Sequence, residues 1–181
     1  MADAEGLYNR GPFLGAYNML LCQAIATVLE HVPAGRPIRL VELGAGTGGT
    51  TAATLPILPP HQTEYVFTDI SPLFTARAEQ RFRDYPFVRY QPLDIEQDPA
   101  GQGFLPHSFD VVVAANVLHA TKDLRRTLAH VQRLLASNGL LVLLEVTTRF
   151  RFSDLVFGMI EGWWRFADTE LRPSHPLLTA P

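Results

Sequence analysis

The chain has 181 residues, 47% of them hydrophobic and 18% charged, which is enough apolar matter to bury the core of one globular domain and too much for a disordered or fibrous protein. A formal net charge of -3 supplies no broad basic field, so nucleic acid is disfavoured as a partner and a small ligand is expected. The single cysteine, Cys22, excludes an internal disulfide, no apolar run approaches the ~20 residues that cross a bilayer, and the first residues carry no signal-peptide pattern, so a cytoplasmic location without membrane contact is expected.

Residues 11–31 predict a helix, with Leu21, Ile25 and Val28 on one stripe, forming a cap within residues 1–35. Pro33 and Pro37 end it, and Ile38 to Leu43 reads as the first strand, running into Gly44-Ala45-Gly46-Thr47-Gly48-Gly49. Glycines let the backbone turn sharply and come within contact distance of a ligand, so this stretch reads as a strand, a tight loop and a helix N-terminus with a nucleoside across it. Gly44, Gly46 and Gly49 also satisfy a dinucleotide fingerprint, and the loop alone leaves both ligands open. Thr50 to Leu58 predicts a helix stopped near Pro56, and Glu64 to Asp69 a second strand. Ser71-Pro72 predicts an N-cap hydroxyl and a helix to about Arg83, then a third strand covers Val88 to Leu93 and ends at Asp94. A polar loop spans 97–107. Phe109 to Ala115 is nearly all apolar, as expected where helices cover both faces of a sheet, and His119 follows its end. Thr121 is expected to cap a helix with Leu124, Leu128, Val131 and Leu135 buried and Asn138-Gly139 as its stop, before a fifth strand from Leu140 to Val146. Asp154 to Phe166 predicts a last helix, carrying Trp163 and Trp164, ahead of a proline-rich coil.

Strands alternating with helices at short spacing specify an α/β fold: a Rossmann-like open, mostly parallel sheet of about five strands with helices on both faces. Residues 1–181 read as one domain, with the cofactor core at 36–148 and a post-core helix and linker at 149–181. Ligands of such sheets bind outside the carboxyl ends of the strands, where Gly44 to Gly49, Asp69, Asp94, Asn116, His119 and Glu145 all fall. Any one acid among them reads alone as a solvated strand end; together with the glycines they select the ligand. Glu42, two residues before Gly44, would repel a pyrophosphate but attract the ammonium of S-adenosylmethionine. Asp69 could accept both ribose hydroxyls and Asp94 the adenine amino group. No Tyr-x-x-x-Lys pair supports the competing reading, a nicotinamide-dependent reductase.

With those residues in view, the sequence resembles the class I S-adenosylmethionine-dependent methyltransferases, and more narrowly the methyltransferase domains embedded in polyketide synthases. The resemblance runs from about Leu7 to Leu178, through Val41-Glu42-Leu43-Gly44-Ala45-Gly46-Thr47-Gly48-Gly49-Thr50-Thr51, Phe67-Thr68-Asp69-Ile70-Ser71, Pro86-Phe87-Val88-Arg89-Tyr90, Ala114-Ala115-Asn116-Val117-Leu118-His119-Ala120-Thr121 and Glu161-Gly162-Trp163-Trp164. The resemblance implies that Ile70 and Ile95 lie against adenine and Asn116 beside the methionine part, with Gly44, Ala45 and Gly46 cradling the cofactor and S-adenosylhomocysteine as product. It also implies an acyl carrier protein bearing a phosphopantetheine-tethered chain, neighbouring synthase domains as partners, and membership of a larger multidomain protein. Full class I domains continue into a β-hairpin that completes the sheet; this chain stops before one.

Methyl transfer needs a base that exposes the nucleophile's electrons. His119 is the candidate, since imidazole takes a proton near neutral pH, and Glu145 could accept from its other ring nitrogen. A glutamate inside Leu143-Leu144-Glu145-Val146 is costly unless paired, and the family uses a histidine and a glutamate in the same way. His31, His61, His107, His130 and His175 read as packed or solvated, and no residue set has metal-ligand spacing. Carbon methylation at an α-position between two carbonyls suits a histidine base better than oxygen methylation of a hydroxyl or enol; a non-catalytic bracing domain is the remaining alternative. Trp163 and Trp164 read equally as core or as wall of an acyl tunnel.

Overall fold

A computed structural model describes residues 12–33, 35–149 and 151–179. The loop expected before the first helix and the last two residues of the tail lie outside them. Its apolar runs become five strands, β1 (Ile38–Leu43), β2 (Thr63–Asp69), β3 (Val88–Pro92), β4 (Phe109–Ala115) and β5 (Leu135–Leu144), of which β1, β2 and β4 are buried on both faces while β3 and β5 stay partly exposed. All pairs are parallel, in the order β3-β2-β1-β4-β5. Successive residues feed opposite cores, as the pleat requires. Leu40, Tyr65, Phe67 and Val111 meet Leu21 and Ile25 of α1 (Pro12–Glu30) and Ala78 of α3 (Pro72–Arg81). Val41, Val66 and Val112 meet Val131 and Leu134 of α4 (Leu124–Leu134) on the other face. The chain order reverses between β1 and β4, which opens a crevice at their carboxyl ends. No described helix is long and apolar enough to cross a membrane.

Several local expectations are corrected. Helix α2 covers only Gly49–Thr54, and Pro56 forces the tighter 3₁₀ turn Leu55–Ile57. Ser71 occupies the N-cap of α3, yet its hydroxyl makes no cap bond; its N–H donates to Asp69 Oδ1 instead, at 2.8 Å. The cap of α4 is Asp123, which accepts from Arg126 N at 3.0 Å, because the hydroxyl of Thr121 turns back to donate to Leu118 O at 2.7 Å. The buried stripe of α4 is Leu124, Thr127, His130, Val131 and Leu134, whereas Leu128 is 43% exposed. Asn138-Gly139 stops no helix: Leu135 already has extended backbone, and the β4–β5 register slips between Phe109↔Leu135 and Val111↔Leu140. Asn138 sits there at φ 65. The expected helix 154–166 divides into α5 (Arg151–Phe157) and a 3₁₀ turn, Glu161–Trp164, separated by the extended Ile160.

The entry into α2 rests on one glycine. Gly48 is its N-cap at φ 77, and a Cβ there would stand 2.7 Å from the ring of Phe82, which closes the end of α3. Gly48→Ala is therefore expected to lower the unfolding free energy by about 1–3 kcal/mol, from left-handed strain plus crowding, as read by urea denaturation; an unchanged midpoint would show that Phe82 yields without cost.

Candidate functional site

The loop after β1 is pinned from behind. Ala45 N donates to Thr68 O at 2.8 Å and Gly46 N to Asp69 Oδ2 at 2.9 Å, so the carboxylate at the end of β2 braces the loop with one oxygen and the start of α3 with the other. Each oxygen keeps acceptor capacity for a further donor. Gly44, at φ 55, packs directly on Val117 beyond β4; a Cβ would fall 2.2 Å from Val117 Cγ2. Glycine is needed there for approach between two loops as much as for approach to a ligand.

Two cavities flank this contact. One, about 280 Å³, is lined by Glu42, Gly44, Ala45, Gly46 and Asn116, with Asn18 of α1 and Phe74 of α3 on its outer side. The second, about 250 Å³, is lined by Gly44, Asp69, Ile70, Asp94, Ile95 and Val117 together with Ala120, Thr121, Gly162 and Arg165. All nine residues expected around a cofactor thus line one cavity or the other. Ile70 is a 65% exposed shelf and Ile95 a buried floor. Asn116 adopts a left-handed φ of 54, which asparagine tolerates, and its Oδ1 accepts from Val146 N at 3.2 Å.

Glu42 is only 1% exposed, and its Oε2 accepts from the Thr51 hydroxyl at 2.5 Å and from the Tyr65 hydroxyl. Burial raises its carboxyl from an ordinary 4.5 to about 7, against the two hydroxyls that favour the anion, with a smaller upward push from Asp69. Burial, with the Glu42 charge behind it, likewise pushes the Tyr65 hydroxyl well up.

His119 lies on the 3₁₀ turn Leu118–Ala120 that follows β4, and its Nδ1 is 2.6 Å from Glu145 Oε2. Glu145 stands one residue past β5 rather than inside it. Its other oxygen accepts from Val117 N at 3.0 Å and Leu118 N at 2.7 Å, and the His119 and Glu145 side chains are 14% and 16% exposed. With the carboxylate accepting, Nδ1 carries the ring proton and Nε2 the lone pair. His119 itself lines neither cavity, although Asn116 and Val117 before it and Ala120 and Thr121 after it do. Trp163 is buried with its ring edge-on to His119 at 5.3 Å, its indole N–H donates to Asp154 Oδ1 at 3.3 Å, and Trp164 is exposed. Trp163 therefore packs beside His119.

The residue pattern did not flag Asn18, Phe74, Tyr65 or Arg172. Tyr65 carried a weak signal, a hydroxyl in an apolar strand; Arg172 carried none toward His119, because its partners in that turn are backbone carbonyls. Among the described residues no group of three or more His, Cys, Asp or Glu is arranged to hold a metal.

A family model described as a methyltransferase domain matches residues 41–141. The whole chain aligns, 43% identical over 188 residues, with polyketide synthase ThaQ of Burkholderia thailandensis, covering 9% of that protein. The solved CurJ carbon methyltransferase superposes with a TM-score of 0.94 at 55% identity, over 97% of this chain and 46% of that one. Trans-methyltransferase CalH, solved in complex with S-adenosylhomocysteine, gives 0.80 at 37% identity, over 97% of this chain and 51% of that one. The chain spans a small part of the curated relative and about half of each solved neighbour.

The raised carboxyl of Glu42 has a thermodynamic consequence. The folded chain keeps a proton on it that the unfolded chain releases above about 4.5, so this group's contribution to stability is present below that pH and is lost as pH rises through about 7. The loss is on the order of 3 kcal/mol. Glu42→Gln should flatten the stability profile between those values, followed by urea denaturation of the ligand-free chain; parallel profiles would refute it.

Proposed function

Because the chain belongs to the methyltransferase domain family, we propose that it methylates the α-carbon of a β-ketoacyl chain carried on an acyl carrier protein, as the cofactor-binding part of a methyltransferase domain within a cytoplasmic polyketide synthase. The observation that carries this reading is the 2.6 Å contact between His119 Nδ1 and Glu145 Oε2, on a turn flanked by residues of both cavities. Support comes also from the carbon methyltransferase CurJ and the synthase ThaQ, its relatives over nearly the full chain.

The donor set fits S-adenosylmethionine. Adjoining cavities that meet at Gly44 suit a ligand with an amino-acid end and a nucleoside end, and the carboxyl of Glu42 in the first answers an ammonium better than a phosphate. Gly44, Ala45 and Gly46 would present backbone to the ligand and Asn116 would flank the methionine end. Asp69 would take the ribose hydroxyls with its remaining acceptor capacity, Asp94 the adenine amino group, and Ile70 and Ile95 the faces of the base. Bound there, the cofactor supplies an electrophilic methyl group on a sulfonium and leaves as S-adenosylhomocysteine.

In the reaction His119 Nε2 takes the α-proton of the β-ketoacyl thioester, leaving the electron pair in an enolate whose carbon is the nucleophile. Glu145 holds the imidazole in the required tautomer and stabilises the imidazolium that forms. The backbone N–H groups of Val117 and Leu118, spent on Glu145, keep the carboxylate aimed. Trp163 excludes water from one side of the ring.

Incubating the chain with labelled S-adenosylmethionine and a β-ketoacyl carrier protein, followed by mass spectrometry, is expected to locate the label on the α-carbon; a label on oxygen would convert the reading to O-methylation, and no cofactor binding by calorimetry would leave a bracing domain. His119→Ala should cut turnover by about 100-fold or more while S-adenosylhomocysteine affinity stays within about threefold. Retained turnover would remove His119 as the base.

A further inference from the structure

Among the described residues, the largest side chain wholly inside this protein is an arginine, Arg172, in the tail that follows Trp164. It is 1% exposed, and its carboxylate partner is Asp168, 2.6 Å away. The remaining donors go to backbone: Nη1 to His119 O at 2.8 Å and Pro176 O at 3.5 Å, Nη2 to Thr121 O at 2.7 Å and Lys122 O at 3.1 Å. Removing a guanidinium from water is costly unless nearly every donor is paired, and here the pairing is concentrated on one turn. Asp168 extends the grip, since its Oδ2 accepts from Leu124 N, the first residue of α4, at 3.0 Å.

The turn that carries His119 is thus held from two directions. Glu145 takes the N–H groups at its start, Val117 and Leu118, and Arg172 takes the carbonyls at its end, including that of His119 itself. We propose that Arg172 is a positioning residue for His119: by fixing the carbonyl side of this turn it keeps the imidazole within hydrogen-bond reach of Glu145. This rests on the reading of His119 as the base. A fold that needed only to fasten its tail could do so with apolar side chains, as Leu177 does nearby, without desolvating a charge.

The test uses Arg172→Lys and Arg172→Ala in the full chain, with histidine-ring nitrogen NMR as a readout independent of turnover. The Nδ1 proton of His119, assigned by its loss in Glu145→Gln, reports the contact with Glu145. His130, buried with Nδ1 2.7 Å from Ile95 O, serves as an internal reporter of folding. In Arg172→Lys, whose ammonium cannot reach the same set of acceptors, the His119 signal should broaden or vanish while that of His130 persists. At the same time kcat should fall by about 10- to 100-fold and S-adenosylhomocysteine affinity by no more than about threefold. An unchanged His119 signal with kcat within about twofold of the parent overturns the proposal. So does joint loss of both histidine signals and of cofactor binding in the lysine variant, which would make Arg172 a strut of the fold. If His119→Ala keeps its turnover the base assignment fails, yet the NMR comparison still decides whether Arg172 holds the pair together.

Discussion

Three N–H groups converge on one carboxylate, and the working end of this molecule depends on that convergence. Glu145 receives the backbone of Val117 and Leu118 on one oxygen and the ring of His119 on the other. The donors come from the segment after β4 and the acceptor from the residue after β5, so the contact exists only because the two strands pair in the register that sets Ala115 against Leu144. Asn116 secures that register beyond the sheet, its N–H on Leu144 O at 2.7 Å and its Oδ1 receiving Val146 N. A carboxylate largely withdrawn from water is tolerated because its acceptors are occupied. The same bonds orient the histidine.

The two cavities are tied to this assembly by close packing. Gly44 meets Val117 with no room for a Cβ, which joins the loop after β1 to the segment bearing His119 at the point where the strand order reverses. Asp69 stiffens the same loop from β2. Displacing either loop would disturb both cavities together, since Gly44 lines each of them. Protein interiors are packed too densely to absorb such a shift locally.

The tail completes the enclosure. Gly162 and Arg165 line the second cavity, Trp163 packs edge-on to the imidazole, and Arg172 grips the carbonyls of the turn between. One segment of about a dozen residues therefore reaches the second cavity and His119 at once. Its ordered course owes little to regular structure: a 3₁₀ turn, the Asp168–Arg172 pair and the His175–Asp154 contact at 2.9 Å hold it.

What the sequence determined by itself was whatever depends on near neighbours in the chain. Continuous apolar runs specify strands, glycines after the first of them specify a tight loop, and acids at strand ends fall where such sheets bind ligands; the five strands and the shared edge on which Asp69, Asp94, His119 and Glu145 gather follow from these, whereas the contact of His119 with Glu145 needs the register of β4 against β5. Short-range signals that serve two purposes were decided elsewhere. Asn138-Gly139 can end a helix or sit in a bulge, and the pairing of β4 with β5 selected the bulge. Thr121 and Asp123 can each cap a helix, and a nearer carbonyl took the threonine. Leu128 loses its place in the core to Thr127 and His130 because the rotation of α4 follows the sheet beneath it. Arg172 lies furthest from sequence reasoning: beyond Asp168 and Pro176 close by in the chain, its acceptors are the main-chain carbonyls of His119, Thr121 and Lys122 about fifty residues away, which every residue possesses, so only the three-dimensional path of the tail could make it a partner of His119.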